Sequence, residues 1–303
     1  MKIFIDNVNL NSSSGPNGFA KKISNELIKD NEIYVSIDNL IKSQTKPDVQ
    51  LSFIATQYKI APIVQRLDGI YFNSDQDFNL LNSPIETTYE VSDAVIFQSD
   101  FNKQLTEKYF GIHKNSHVIR NGTCIEEISE ISPMENSTLD NFENVWSCAS
   151  SWRPHKRLQE NIDYFLKFSS ENDCLVISGE NPDVKIENDR IFYSGHLSWS
   201  NMISLMKRSK YFLHLAWLDH CPNVVIDARA TGCHIICSSA GGTKEVAGKN
   251  STVIIEDEWD FSPIKLYNPP KMDFSKTTST KVESNIDIKS VSKKYLDIFS
   301  GVI

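Results

Sequence analysis

The stretch KYFLHLAWLDHCPNVVIDARATGCHIICSSAGGTKEVAG, Lys210 to Gly248, decides the fold. Its two apolar runs, Tyr211–Ala216 and His234–Ser239, have the length and β-rich content of buried strands. Between them Pro222 and Asn223 open a segment of helical pattern that Gly232 closes, with Pro in the first turn and Gly just past the end. Strand, loop, helix and strand make a βαβ unit, and sheets of such units bind ligands at the carboxyl ends of their strands. Asp219 falls in the loop after the first strand, with His220 beside it, and Asp227 lies one to two turns into the helix. After the second strand, Gly241-Gly242-Thr243 makes another turn that exposes backbone. Two carboxylates, the helix start at Pro222, Asn223 and Val224, and a Gly-Gly turn therefore share one rim, which marks a binding site.

Working outward, 303 residues suffice for two domains, each with its own core. A chain with 40% hydrophobic and 23% charged residues has the composition of a soluble globular protein. The net charge of −8 disfavours nucleic acid as a partner, since such proteins carry a basic face. No run approaches the roughly 18 apolar residues of a spanning helix; peripheral membrane contact stays open, with no basic amphipathic helix to support it. Asp6 interrupts the first apolar run, so MKIFIDNVNL reads as a strand and not as a signal peptide. The six cysteines lack a framework spacing and read as buried thiols of a reducing cytoplasm. His214, His220, Cys221, Cys233, His234 and Cys237 do not suggest a metal site. His234 and Cys237 are an odd number apart on one strand and face opposite ways, and there is no C-x2-C spacing.

In chain order, Lys2–Asp6 is a strand and Asn11–Gly18 a polar loop carrying Gly15 and Gly18. Phe19–Ile28 follows as an amphipathic helix. A Gly loop before a helix offers backbone N–H groups and a positive dipole end to an anion, although many such turns are ordinary connections. Strands are expected at 33–37, 50–54 and 62–67. The last leads into Arg66-Leu67-Asp68-Gly69, where an Arg–Asp pair is either a structural tie or part of a site. Asp75-Gln76-Asp77 reads as a solvated helix start. Ser99 or Asp100 caps a helix that runs to Phe110 and is closed by Gly111. Residues 126–144 are acidic and Ser/Asn-rich and are taken as a linker. Val145–Ala149 is a strand, and Arg153-Pro154-His155-Lys156-Arg157 follows it directly. Cations are unfavourable at a helix start, so their concentration there points to a bound anion such as a diphosphate. Which of Arg153, Lys156 and Arg157 would touch it stays open. Further strands are expected at 174–179 and 190–195, the latter ending at Gly195, and a helix at Trp199–Arg208. Beyond Ile255 the chain reads as irregular until a final helix at 286–299.

Asp219-x7-Asp227, with Ala228–Gly232 and Ala240–Glu245 behind it, resembles the E-x7-E region of retaining glycosyltransferases of the GT-B fold, family 4 in particular. Both acids are Asp where that family usually has Glu. The segments DAVIFQSDF, VIRNG and QRLDGIYF are similar to its N-terminal domain. The resemblance implies an α/β chain of two Rossmann-like domains facing across a cleft. Residues 1–125 form the acceptor-side domain, 126–144 the linker and 145–282 the nucleotide-sugar domain, and 283–303 a helix returning to the first. It further implies that Asp219 touches the donor sugar's hydroxyls and Asp227 the ribose, and that Arg153 and Lys156 stabilise the departing diphosphate. Gly15, Gly18, Arg157, Gly195, His220, Pro222, Asn223, Val224, Gly241, Gly242 and Thr243 would line the donor, and Asp68 would assist the acceptor.

The expected activity is retaining, metal-independent transfer of a hexose-type sugar from a nucleotide-sugar to a glycan, lipid-linked glycan or other acceptor. No cofactor is called for beyond the donor, with a UDP- or GDP-sugar preferred to an ADP-sugar. Two rivals are a nucleotide-sugar epimerase of the same fold and a catalytically silent nucleotide-sugar-binding protein.

Overall fold

The computed structural model describes residues 1–12 and 14–303, which divide into two compact units. Ser13, inside the expected Gly-containing loop, lies outside the described residues. The first unit comprises Met1–Cys124, Phe261–Ile264 and Asn285–Ile303, and the second Ile125–Asp260 and Lys265–Ser284.

The first unit opens with β1 (Lys2–Asp6), α1 (Gly15–Leu27), β2 (Glu32–Tyr34), α2 (Ile37–Ser43), β3 (Val49–Phe53) and β4 (Ile63–Leu67). It continues with α3 (Phe78–Val91), β5 (Ala94–Phe97), α4 (Asp100–Phe110) and β6 (Ser116–Val118). Its sheet is parallel, in the order β2-β1-β3-β4-β5-β6. The helix caps are written in the sequence. Asp77 accepts from the Leu80 amide at 3.0 Å to start α3, and Ser99 accepts from the Asn102 amide at 3.0 Å to start α4, which Gly111 ends at φ +82°. Helix α1 begins four residues earlier than the apolar pattern indicates. Ser14 is extended at the N-cap and Pro16 is preset for the first turn, so the glycine-rich stretch coils instead of looping.

The second unit holds α5 (Ile125–Glu130), β7 (Asn144–Ala149), α6 (Leu158–Phe168), β8 (Asp173–Ser178), β9 (Ile191–Gly195) and α7 (Trp199–Arg208). Then come β10 (Ser209–His214), α8 (Asn223–Ala230), β11 (His234–Ser238), β12 (Thr252–Ile254) and β13 (Thr277–Ser279). Residues 126–144, read above as a linker, contain α5 and a 3-10 turn at Leu139–Asn141. They are tied to α7 through Met134 N to Ser204 O at 2.9 Å and Lys207 Nζ to Ser129 O at 3.1 Å. The sheet order is β13-β12-β11-β10-β7-β8-β9, all parallel except β13. Apart from β13 this is the doubly wound dinucleotide-binding order, whose direction reverses between β7 and β10. Strand β13 itself forms within the stretch expected to be irregular.

Helix α9 (Ile288–Val302) closes the chain and belongs to the first unit. Ile288, Val291, Tyr295 and Phe299 are buried with Ile3, Phe19, Val49 and Phe53. A two-way backbone clamp, Thr123 N to Ile286 O at 2.8 Å and Ile288 N to Thr123 O at 2.9 Å, fixes where the helix starts. The core of the second unit includes Trp146, Leu158, Ile162, Phe165, Leu175, Leu213 and Ile236, gathered between β7, β8, β10, β11 and α6.

Candidate functional site

The loops that leave β7, β10 and β11 meet at the reversal point of the second sheet, and backbone contacts fasten them to one another. After β7, Trp152 donates Nε1–H to Ser178 O at 2.9 Å and its amide to Glu180 O at 3.1 Å, tying the loop to the end of β8. Gly179 makes that approach feasible, since it sits at φ +115° and a Cβ there would lie 1.8 Å from Ser150 O. The loop then makes a 3-10 turn at Pro154–Lys156, and Arg157 turns left-handed at φ 54° before α6. After β10, the Trp217 amide donates to His155 O at 2.7 Å and Leu218 turns at φ 56°. Asp219 next accepts at its carbonyl from Gly242 N at 2.7 Å. Gly241 is at φ +92°, and a Cβ there would stand 2.6 Å from that same carbonyl. Two non-glycine residues in the left-handed region flank one spot, a strain pattern concentrated at functional sites.

The side chains at this spot form a cluster around one carboxylate. Asp219 Oδ2 accepts from Lys156 Nζ at 2.6 Å and His214 Nε2 at 2.9 Å, and Oδ1 from the His220 amide at 2.9 Å. Burial alone would raise the Asp219 pKa. The charge of Lys156 and the hydrogen bond from His214 outweigh it and hold the carboxyl well below its usual range. With Asp219 ionised, His214 must carry its proton on Nε2. Burial lowers all three neighbouring histidines: His155 to about 3, His220 to about 4, and His214 despite the opposing pull of Asp219.

These shifts fix a sign. Below pH 6.5 the unfolded chain protonates His155 and His220 while the folded chain does not, so their contribution to stability is complete above that pH and drains away as pH falls, and the lowered His214 acts with the same sign. Asp219 adds to the loss only below about pH 4, where its unfolded carboxyl takes up a proton. Between pH 6 and 5, urea unfolding is expected to show a loss of about 1 kcal/mol per pH unit for each of His155 and His220, which burial lowers to about 3 and about 4. His155→Gln should make the slope shallower by that share; an unchanged slope would count against a neutral His155.

The other predicted site residues are placed as follows. Arg153 is exposed at the head of the 3-10 turn. Arg157 is not at the surface with it: its Nη atoms fork onto Glu256 at 2.9 and 2.7 Å, Nη2 also donates to Pro270 O at 2.8 Å, and the residue is buried. The left-handed turn at Arg157 sends it inward while Lys156 stays partly exposed. Asp227 is buried and accepts from Trp199 Nε1 at 3.0 Å. Pro222 caps α8, with Asn223 and Val224 in its first turn. Gly242 and Thr243 are buried behind the Asp219 carbonyl, and Thr243 Oγ1 has no partner among the described residues. Gly195, exposed at the end of β9, accepts from Gly179 N at 2.8 Å.

In the first unit, Gly15 and Gly18 are in the first turn of α1 and not in a loop, with Gly18 N on Ser14 O at 2.7 Å. Asp68 pairs with Arg66, which is fully buried, lies 4.4 Å from the Phe19 ring centroid, and donates to Asn121 Oδ1 at 2.6 Å. Burial raises the Asp68 pKa against the opposing charge of Arg66.

Sequence reasoning missed three partners. His214 is the one polar residue in the run YFLHLA, and a histidine there needs a partner once buried. Glu256 is the first charge after the apolar run of β12, which is the position at which carboxylates meet the sheet's rim. Trp199 carries no such signal. Among the described residues no group of three or more His, Cys, Asp or Glu is disposed to hold a metal ion, and no helix is long and apolar enough to cross a membrane.

Residues 136–261 match the model of the family described as glycosyl transferases group 1. No curated protein sequence matches the chain. Among solved structures, HepE from Anabaena in complex with UDP-glucose superposes with a TM-score of 0.71 at 14% identity, covering 99% of this chain and 100% of that one. Sucrose-phosphate synthase from Thermosynechococcus elongatus gives 0.70 at 10% identity, with 99% and 98% covered. WaaG, a glycosyltransferase involved in lipopolysaccharide biosynthesis, gives 0.61 at 11%, with 97% and 95% covered. The matched residues contain the β7, β10 and β11 loops described above. The chain thus has the GT-B glycosyltransferase fold, and residues 136–261 carry its match to glycosyl transferases group 1.

Proposed function

We propose that the protein is a metal-independent glycosyltransferase that moves a sugar from a nucleotide-sugar to a glycan or lipid-linked glycan acceptor, with retention of anomeric configuration. One observation carries this reading. A charged cluster, Lys156 on Asp219, sits at the reversal point of the second sheet inside the segment that matches the group 1 family. Doubly wound sheets take nucleotides at that point. The HepE complex with UDP-glucose supports a nucleotide-sugar as the donor.

The chemistry follows from charge. When the bond between the anomeric carbon and the phosphate oxygen breaks, the leaving diphosphate gains negative charge. Lys156 supplies a compact cation and Arg153 an exposed guanidinium fork, while the α8 start at Pro222–Asn223 adds a positive dipole end. Asp227, braced by Trp199, takes the ribose as the family resemblance implies. The acceptor oxygen attacks on the face the phosphate leaves, and the departing phosphate oxygen takes the acceptor's proton, so no protein base is required.

A thermal-shift panel of UDP, GDP, ADP and their sugar conjugates tests this, run on the wild type, Lys156→Ala and Asp227→Ala. A nucleotide at 100 times its dissociation constant is expected to stabilise the wild type by about 2.7 kcal/mol, a rise of several degrees. The same nucleotide should move neither variant appreciably. A well-folded wild type that responds to none of them would sink the donor-site assignment.

A further inference from the structure

The resemblance assigns Asp219 to the donor sugar, but its surroundings assign it elsewhere. Three donors already converge on this one carboxylate: Lys156 Nζ at 2.6 Å, His214 Nε2 at 2.9 Å and the His220 amide at 2.9 Å. A carboxylate has about four lone-pair positions, so most of its capacity is spent inside the protein. The Asp219 side chain is 15% exposed. Lys156 differs. Its side chain is 20% exposed, and its ammonium has three N–H groups, one of which is directed at Asp219. Of the two partners, the lysine is the one with donors left to offer.

We propose that Asp219 and His214 together form a holder for the Lys156 ammonium, and that Asp219 acts on the phosphates of a nucleotide-sugar through Lys156 and not on the sugar directly. The proposal rests on the nucleotide-site reading given above. His214 is a positioning residue here. It sits at the last position of β10, 5% exposed, and aims Nε2 at the same Oδ2 that Lys156 uses, so the oxygen cannot swing away from the lysine. A neutral ring does this without placing a second cation beside the ammonium. The surroundings agree with that choice, since burial and the charge of Lys156 both disfavour a charged imidazole at His214, against the opposing pull of Asp219. The shorter Asp in place of Glu fits as well. A carboxylate one methylene closer to its own backbone, which is itself fastened to Gly242, is suited to holding a neighbour and less to reaching outward.

Isothermal titration calorimetry of the intact chain with UDP and with UDP-glucose separates the two roles, or GDP and GDP-mannose if the panel selects guanine. For Asp219→Asn, the dissociation constants for UDP and UDP-glucose are both expected to rise about tenfold or more, with their ratio kept within about twofold of wild type. His214→Phe should shift both constants in the same direction, and His214→Gln, which restores an N–H donor, should recover most of the loss. Asp219→Asn binding UDP like the wild type while losing only the extra affinity for UDP-glucose would overturn the proposal and return Asp219 to the sugar. If Asp219→Asn does not fold, the His214 pair decides, and UDP binding unaffected by His214→Phe overturns the holder. A wild type that binds neither nucleotide nor nucleotide-sugar defeats the nucleotide-site reading itself, and the inference with it.

Discussion

Replacing Arg157 by Ala is expected to lower the free energy of unfolding by about 3–5 kcal/mol, the cost of breaking a buried ion pair from one side. The guanidinium is fully buried and Glu256 is 7% exposed. Glu256 also accepts from Ser238 Oγ, and Arg157 Nη2 reaches Pro270 O. Alanine would leave a buried carboxylate beside the Pro270 and Leu215 carbonyls with no cation between them. It would also release the loop after β7 from the chain after β12, where Glu256 and Pro270 hold it. With native stabilities near 5–15 kcal/mol, that loss is a large share of the total. Urea unfolding followed by circular dichroism measures it. Glu256→Gln is expected to cost stability in the same direction, because it strands the arginine in turn. The double variant Arg157→Met with Glu256→Leu should recover much of the deficit, since both buried charges go together. If Arg157→Ala unfolds like the wild type and loses nucleotide binding, the arginine belongs to the ligand after all.

The contrast between Arg157 and its neighbour marks where reading the sequence stops. Strong periodic signals were legible. The unit from β10 through α8 to β11 followed from run lengths plus Pro222 and Gly232, and α4 from Ser99 and Gly111. The rim that gathers Asp219 and the Gly241-Gly242 turn followed from topology alone, because strand ends of a parallel sheet share an edge. The short elements were less legible. Helix α2 has seven residues and strand β13 three, too few for a period to show, and such pieces are held by tertiary contacts more than by their own propensity. The start of α1 was misplaced because Gly15 and Gly18 are weak helix formers, while Ser14 and Pro16 favour a start before Phe19. Within the basic cluster the question was finer. Two adjacent cations differ only in where the backbone aims them. That is decided by a 3-10 turn followed by φ 54° at Arg157, a conformation that no residue type in HKRL announces. Glu256, the partner that draws Arg157 inward, lies 99 positions away.

Lys156→Ala is expected to leave the fold intact and to lower kcat by about 10²–10³-fold, the usual loss when one preorganised donor to a developing anion is removed, about 3–4 kcal/mol of barrier. The size of the effect follows from differential binding. The diphosphate carries more charge as it departs than when it is bound in the donor, so a cation fixed beside it contributes more in the transition state than in the ground state. The effect on KM should therefore be smaller than that on kcat. Lys156 is partly exposed and Asp219 keeps His214 and the His220 amide, so the unliganded melting temperature should fall by only a few degrees. Initial rates with whichever donor the thermal-shift panel selects, measured beside Arg153→Ala, divide the role between the two cations. Arg153 is exposed and can shift without disturbing any buried group, whereas Lys156 is held by the Asp219 carboxylate, which the buried His214 fixes in turn. Preorganisation belongs to the held cation, and the larger kcat loss should fall there. A larger loss for Arg153→Ala would mean that the Lys156–Asp219 pair secures the loops and that the mobile guanidinium meets the phosphate.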